Sequence, residues 1–263
     1  LKAGKHPWTK ETGLVVRGYK SSLDDSVIPY GLDIPSELSQ QIHKKKRLDI
    51  WLHGRNNTLS EIRFLTERLQ KASQFRPKNT IVLHPYGRFC NAYKFAGEED
   101  VIESLHHVKS QYLIDNERIA LRGFSMGGAG AWHLGAHYAG RWAAVAPGAG
   151  FVDTAIYQNI FSKDPKPTWW EQKLWNLYDV PPIASNFQNT TTIAYSGEID
   201  KQKEAADLMA LAFKREGIKL THIIGPKTGH KYEPQAKEEI SRQVDEAVSK
   251  GSNAYANKVK LTT

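Results

Sequence analysis

The sequence predicts an α/β fold: a mostly parallel central sheet with helices on both faces and an antiparallel N-terminal hairpin. Three observations predict it. Short apolar runs of strand length alternate with segments whose apolar residues recur every three to four positions, from Leu48 to Val248. That alternation gives a parallel sheet covered on both sides. The first two extended runs are instead joined by a short polar turn. The 263 residues, 40% hydrophobic and 24% charged, are enough for one large domain with an ordinary core.

The elements follow in order. Leu14–Tyr19 and Val27–Ile34 read as the opening hairpin, with Pro29 and Pro35 limiting the second strand to an edge or to its ends. Leu48–Leu52 is a strand that runs into a tight turn at His53-Gly54. Thr58 and Glu61 have capping-box spacing, and Ile62, Leu65, Leu69 and Ala72 share one face of the helix they open. Thr80–Leu83 is a short buried strand, closed by His84-Pro85. Val101, Leu105, Val108 and Tyr112 place a helix over about Glu98–Leu113. Arg118–Leu121 is the next strand. A glycine-rich turn (Gly123–Gly130) leads to a helix over about Gly127–Tyr138, then to a strand at Trp142–Ala146.

Phe151–Phe187 breaks the rhythm with several prolines and the aromatic cluster Trp169, Trp170, Trp175 and Tyr178, and reads as a cap-like insertion. Thr191–Tyr195 resumes it as a strand. A helix with Ala205, Leu208, Met209 and Ala212 on one face, a strand at Leu220–Ile224 and a last helix marked by Ile240, Val244 and Val248 follow. Residues 1–250 thus form one domain, and 251–263 a tail or a linker to a further domain of a longer parent chain, a reading the first residue, Leu1, also suggests.

Composition excludes several function classes. The net charge of +8 is scattered; its longest run, Lys44–Arg47, lacks the interleaved aromatics of a nucleic-acid surface. No apolar run reaches the roughly 18–20 residues of a membrane span. The single cysteine, Cys90, rules out an internal disulfide and a multi-cysteine metal site.

The chemistry gathers at the carboxyl ends of the strands, where such sheets place their sites. Gly123-Phe124-Ser125-Met126-Gly127 fits G-x-S-x-G between a strand and a helix. The elbow pushes the Ser125 hydroxyl away from the sheet, and the helix after it aims free amides at developing negative charge. A phosphate loop would want Lys and Ser/Thr after the last glycine, whereas this turn continues Gly128-Ala129-Gly130.

A serine hydroxyl needs a base. On sheets carrying this elbow the acid follows the serine and the histidine comes last. Of ten histidines only His222 and His230 lie late enough; His222 falls inside a strand, and His230 in a loop before the last helix. The acid belongs in Ser196-Gly197-Glu198-Ile199-Asp200; Asp200 is the choice and Glu198 the runner-up. The oxyanion would be met by the amide of Met126 and by one from the turn at Gly54-Arg55, which stands where many lipases and esterases carry His-Gly-Gly-Gly. The Arg55 side chain would then shape the acid side of a substrate pocket.

Ser125, Asp200 and His230 with His53-Gly54 resemble the α/β-hydrolase superfamily over nearly the whole chain. The Gly-Phe-Ser-Met-Gly-Gly elbow and the Ser-Gly-Glu-Ile-Asp loop look like prolyl-oligopeptidase-type catalytic domains and related bacterial esterases, the feruloyl-esterase and polyhydroxybutyrate-depolymerase-like group among them. The resemblance implies acyl-enzyme chemistry with no metal or cofactor. It leaves ester and peptide bond open; the lack of a propeller before the domain favours an ester. Trp169, Trp170, Trp175 and Tyr178 either line a groove for a sugar or aromatic acid, free or polysaccharide-linked, or staple the insertion to the core. Arg88, Asn91 and Tyr93 are candidates for the pocket rim.

Overall fold

The computed structural model describes residues 7–40, 43–252 and 259–262. Eight strands form one sheet: β1 (Gly13–Lys20), β2 (Val27–Ile34), β3 (Lys46–Leu52), β4 (Thr80–Pro85), β5 (Ile114–Phe124), β6 (Ala144–Gly148), β7 (Thr191–Gly197) and β8 (Thr221–Gly225). Their spatial order is β1-β2-β4-β3-β5-β6-β7-β8. The pairs β1–β2 and β2–β4 are antiparallel and every later pair is parallel. The expected fold class is the observed one.

Alternation along the strands splits the core into two layers. Leu48, Ile50 and Leu52 of β3 and Ile119 and Leu121 of β5 face α2 (Ala96–Gln111), α3 (Met126–His137) and α6 (Lys203–Glu216). Trp51 and Ala120 face the other way, toward Ile240, Val244 and Val248 of α7 (Pro234–Lys250). A sheet buried on both faces needs apolar residues at nearly every central position. The exception is ionic: Asp49 accepts from Arg122 (2.8 Å) and from Arg47 (2.7 Å), and Arg47 reaches Asp245 of α7 (2.7 Å). Among the described residues no helix is long and apolar enough to cross a membrane.

Two local expectations need correction. β2 is an interior strand, held between β1 and β4. Pro29 pairs with Gly18 in the ladder with β1 and lies one residue before the ladder with β4, which covers Tyr30–Asp33. The helix after β3 is α1 (Glu61–Gln70), capped by Ser60, whose side chain accepts from Arg63 N–H; Thr58 is not the cap. Its predicted apolar face points to solvent: Ile62 is 78% and Leu69 52% exposed. The inward contact is made by Phe64, packed on Tyr86, and by Arg68, whose guanidinium reaches the buried His84 at 2.9 Å.

The insertion contains α4 (Thr154–Tyr157), α5 (Trp169–Trp175) and 3-10 turns at Ile160–Ser162 and Pro181–Phe187. Of the tail, 253–258 lie outside the described residues. Thr262 returns to the body, its N–H donating to Asn186 (2.7 Å) and its hydroxyl meeting that of Ser185 (2.6 Å).

Candidate active site

The strand ends of β3, β5, β7 and β8 meet at one place. Ser125 sits between β5 and α3 with φ 58° and ψ −118°, a conformation a non-glycine residue holds only when its surroundings enforce it. The Ser125 N–H is tied to Gly148 O of the neighbouring strand at 2.8 Å. The elbow closes tightly on β3: a Cβ on Gly127 would stand 1.9 Å from Leu52 O, so only glycine fits there. Ser125 occupies the N-cap of α3, yet its side chain makes no cap bond, which leaves Oγ to other work.

Oγ lies 2.9 Å from His230 Nε2, and His230 Nδ1 lies 2.8 Å from Asp200 Oδ2. The three residues predicted far apart in sequence are therefore brought into one hydrogen-bonded chain. Asp200 is buried and uses both oxygens, since Oδ1 accepts from Gln202 N–H at 3.0 Å at the start of α6. With Nδ1–H donated to the carboxylate, Nε2 presents its lone pair to the serine hydroxyl. Glu198, the alternative acid, is occupied elsewhere: it accepts from Lys227 N–H at 2.7 Å. His222, the alternative base, meets Ser196 Oγ at 2.6 Å within the sheet.

The acid and histidine loops are joined backbone to backbone. Glu198 N–H donates to Gly225 O (2.9 Å) and Ile199 N–H to Thr228 O (3.1 Å). A Cβ on Gly197 would fall 2.2 Å from Thr228 O. Sequence reasoning missed the aromatic cradle beneath them. Tyr195 of β7 donates to Lys231 O (2.7 Å) and accepts from Glu233 N–H (2.9 Å), so one hydroxyl clamps both sides of Tyr232. Tyr232 packs between Tyr195 (4.7 Å) and Phe124 (4.8 Å), and Phe124 lies 4.9 Å from the His230 ring. The one available signal was the placement of Tyr195 directly before the acid loop.

The turn after β3 stands beside Ser125; a Cβ on Gly54 would lie 3.6 Å from Ser125 Cβ. His53 fixes this turn to the loop after β4, its ring nitrogens 2.9 Å from Gly54 O and 3.0 Å from Tyr86 O. Burial lowers the pKa of His53, while the carbonyls of Gly54 and Tyr86 pull it upward. The Arg55 side chain is exposed and bound to Asn57 Oδ1 at 2.8 Å. The Met126 amide opens α3, where no carbonyl of its own helix can accept it.

The remaining candidates fall apart into different roles. Arg88 is not free at a rim: it donates to Asp100 (2.9 Å), Asp24 (2.5 Å) and Ser21 (2.8 Å), tying the β1–β2 turn to α2. Asn91 accepts from Tyr93 N–H, and the buried Tyr93 donates to His53 O at 3.2 Å. The tryptophans do not staple the insertion. α5 buries none of its residues; Trp169 is 71% and Trp170 49% exposed, and Trp175 meets Phe161 edge-on at 6.2 Å. Tyr178 packs on Phe95 (5.9 Å) and under Lys94. The anchors are instead Val152, Ala155, Val180, Ile183 and Phe187 at the two ends of the insertion. Beside Asp200, a cavity of about 320 Å³ runs between the insertion and α6, lined by Phe151, Val152, Ile156, Tyr157, Gln202 and Leu208.

The prolyl oligopeptidase family model matches residues 88–247, a span that holds Ser125, Asp200 and His230. No curated protein matches the chain in sequence. Among solved structures, dipeptidyl peptidase 4 of Porphyromonas gingivalis superposes with TM-score 0.67 at 14% identity, over 90% of this chain and 35% of that one. This chain thus spans about a third of that peptidase. An S-formylglutathione hydrolase from Agrobacterium tumefaciens gives 0.66 at 16% identity, over 90% and 94%. A ferulic acid esterase gives 0.64 at 16% identity, over 90% and 97%. A nucleophile elbow on an eight-stranded, mostly parallel sheet and a family match over more than half the chain lead to one assignment: this is a serine hydrolase of the α/β-hydrolase fold, and it belongs to the prolyl oligopeptidase family.

Proposed function

We propose that the chain is a carboxylic-ester hydrolase working through Ser125, His230 and Asp200. One observation carries the reading: the unbroken relay from Oγ to Nε2 (2.9 Å) and from Nδ1 to the Asp200 carboxylate (2.8 Å). Ser125 Oγ attacks the ester carbonyl as its proton passes to His230 Nε2. Asp200 holds the imidazole in the tautomer that accepts it and stabilises the imidazolium. The amides of Met126 and of the Gly54-Arg55 turn meet the oxyanion. Collapse expels the alcohol, protonated by His230, and leaves an acyl-enzyme. His230 then draws a proton from water, which attacks the acyl carbonyl and releases the acid and free Ser125.

The ester bond is favoured on two grounds. An alcohol is a better leaving group than an amine, and His230 supplies the one proton that either needs. A ferulic acid esterase and an S-formylglutathione hydrolase are matched over nearly their whole length, and the peptidase over 35% of its own. An acylated carbohydrate is the substrate class that suits the exposed Trp169 and Trp170, since sugars stack on open indole faces. Residues 1–250 act as one catalytic unit, with 151–187 as its cap. The family match supports a second reading, a serine peptidase.

Ser125→Ala should lower hydrolysis of p-nitrophenyl acetate by about 10⁴-fold or more, abolish fluorophosphonate labelling and leave the circular dichroism unchanged. Retained turnover would overturn the nucleophile. Matched ester and peptide-amide substrates separate the two readings, and amide turnover at rates comparable with esters would favour the peptidase.

A further inference from the structure

The side of α3 that meets α2 carries a second cluster of chemistry. His133 and His137 are four residues apart and project from one face of the helix, with ring centroids 4.2 Å apart. Glu98, in the first turn of α2, reaches across to them; its Oε2 lies 2.6 Å from His133 Nε2. The three side chains offer ligand atoms that all lie within 4.8 Å of one another. The Tyr138 hydroxyl donates to the same carboxylate. His133 is 2% exposed, and its Nδ1 is buried with no partner. A cleft of about 360 Å³ opens onto Glu98 and His133 and gives a path in from solvent.

The hydrolytic reaction uses none of these groups. Eight residues of helix separate His133 from Ser125, about 12 Å along the axis. A plain ion pair accounts for only half the arrangement, because Glu98 with His133 would suffice for it. The two imidazole rings, tilted 35° to each other, stand together beside that carboxylate.

We propose that Glu98, His133 and His137 form a binding site for a divalent cation of the zinc class. Two imidazole nitrogens and one carboxylate oxygen are a donor set that suits borderline ions over calcium or magnesium. Ligand bonds of about 2.05 Å at the tetrahedral angle set donors about 3.3 Å apart. The Glu98–His133 contact opens slightly to meet that spacing, and His137, exposed on the last turn of α3, swings inward. The nearby cation Lys94 is turned to Tyr178, 3.3 Å from its carbonyl oxygen, and leaves the donors to the metal. The bound ion joins α2 to α3, the helix that begins at Ser125, and three protein ligands leave a fourth position for water.

The test uses the whole chain after stripping with EDTA. Zinc chloride titrated calorimetrically should bind at one ion per chain, and cobalt(II) should develop visible d–d absorption. A hundredfold excess over the dissociation constant should raise the melting temperature by roughly 5–10 °C. His137→Gln, at an exposed position, should keep the fold and the p-nitrophenyl acetate activity yet weaken zinc binding at least about 100-fold, and Glu98→Gln should do the same. Absence of stoichiometric zinc binding overturns the site, as does wild-type affinity in either variant.

Discussion

The acid and histidine loops meet at Ser125, the 151–187 insertion begins beside them against α6, and the two are built on opposite plans. The two loops are bonded to each other through backbone amides and clamped from below by the Tyr195 hydroxyl. The insertion is fixed only at its ends, by Val152, Val180 and Phe187, while α5 between them buries nothing. The loops tie His230 and Asp200 to a fixed geometry, as proton transfer requires. The insertion holds a shape, and its surface is free to differ without disturbing the relay. Changes in the loops should therefore damage rate, and changes in α5 should alter which substrate is preferred.

The largest effect expected on the loop side is at Asp200. Asp200→Asn keeps the size and the bond to Gln202 N–H but replaces an acceptor facing His230 with an amide. The imidazole then turns toward the wrong tautomer, and kcat should fall by about 10⁴-fold with the melting temperature nearly unchanged. Activity within tenfold of wild type would mean that Asp200 serves only as a loop turn.

Tyr195→Phe should have the next largest effect. It removes the hydroxyl that accepts from Glu233 N–H and donates to Lys231 O, at a cost of about 1–3 kcal/mol in stability. As a positioning residue, Tyr195 should affect kcat by about tenfold and KM little. A rise in KM with kcat unchanged would place it in substrate binding instead.

The same contrast explains what the sequence made legible. The elbow, the acid loop and the choice of His230 over His222 could be read because each depends on short motifs and chain order, which the fold leaves unaltered. The strands could be read because a sheet covered on both faces demands continuous apolar runs. The inward face of α1 could not: Ile62 and Leu69 have the helical spacing, but α1 is met by a narrow contact that Phe64 and Arg68 fill. The place of Pro29 depended on how far β4 extends along β2, a property of a partner 50 residues away. The aromatic cradle of Tyr195, Phe124 and Tyr232 is assembled from three elements, and no local pattern announces it.

The smallest effect on stability, and the sharpest on the comparison, belongs to Trp169 and Trp170. Large apolar side chains in a segment poor in regular structure are ordinarily its anchors, and removing two of them would then cost several kcal/mol. Here both lie open to solvent, so Trp169→Ala/Trp170→Ala should change unfolding free energy by no more than about 0.5 kcal/mol. It should also leave kcat on p-nitrophenyl acetate untouched, because that substrate carries no sugar to stack on the indoles. On an acylated oligosaccharide, the loss of two stacking faces should raise KM roughly tenfold, since each such contact contributes about 0.5–1.5 kcal/mol. A stability loss above about 2 kcal/mol would make the tryptophans anchors after all. An unchanged KM would detach the cap from the carbohydrate and return the acyl group, held in the cavity beside Asp200, as the part of the substrate that is recognised.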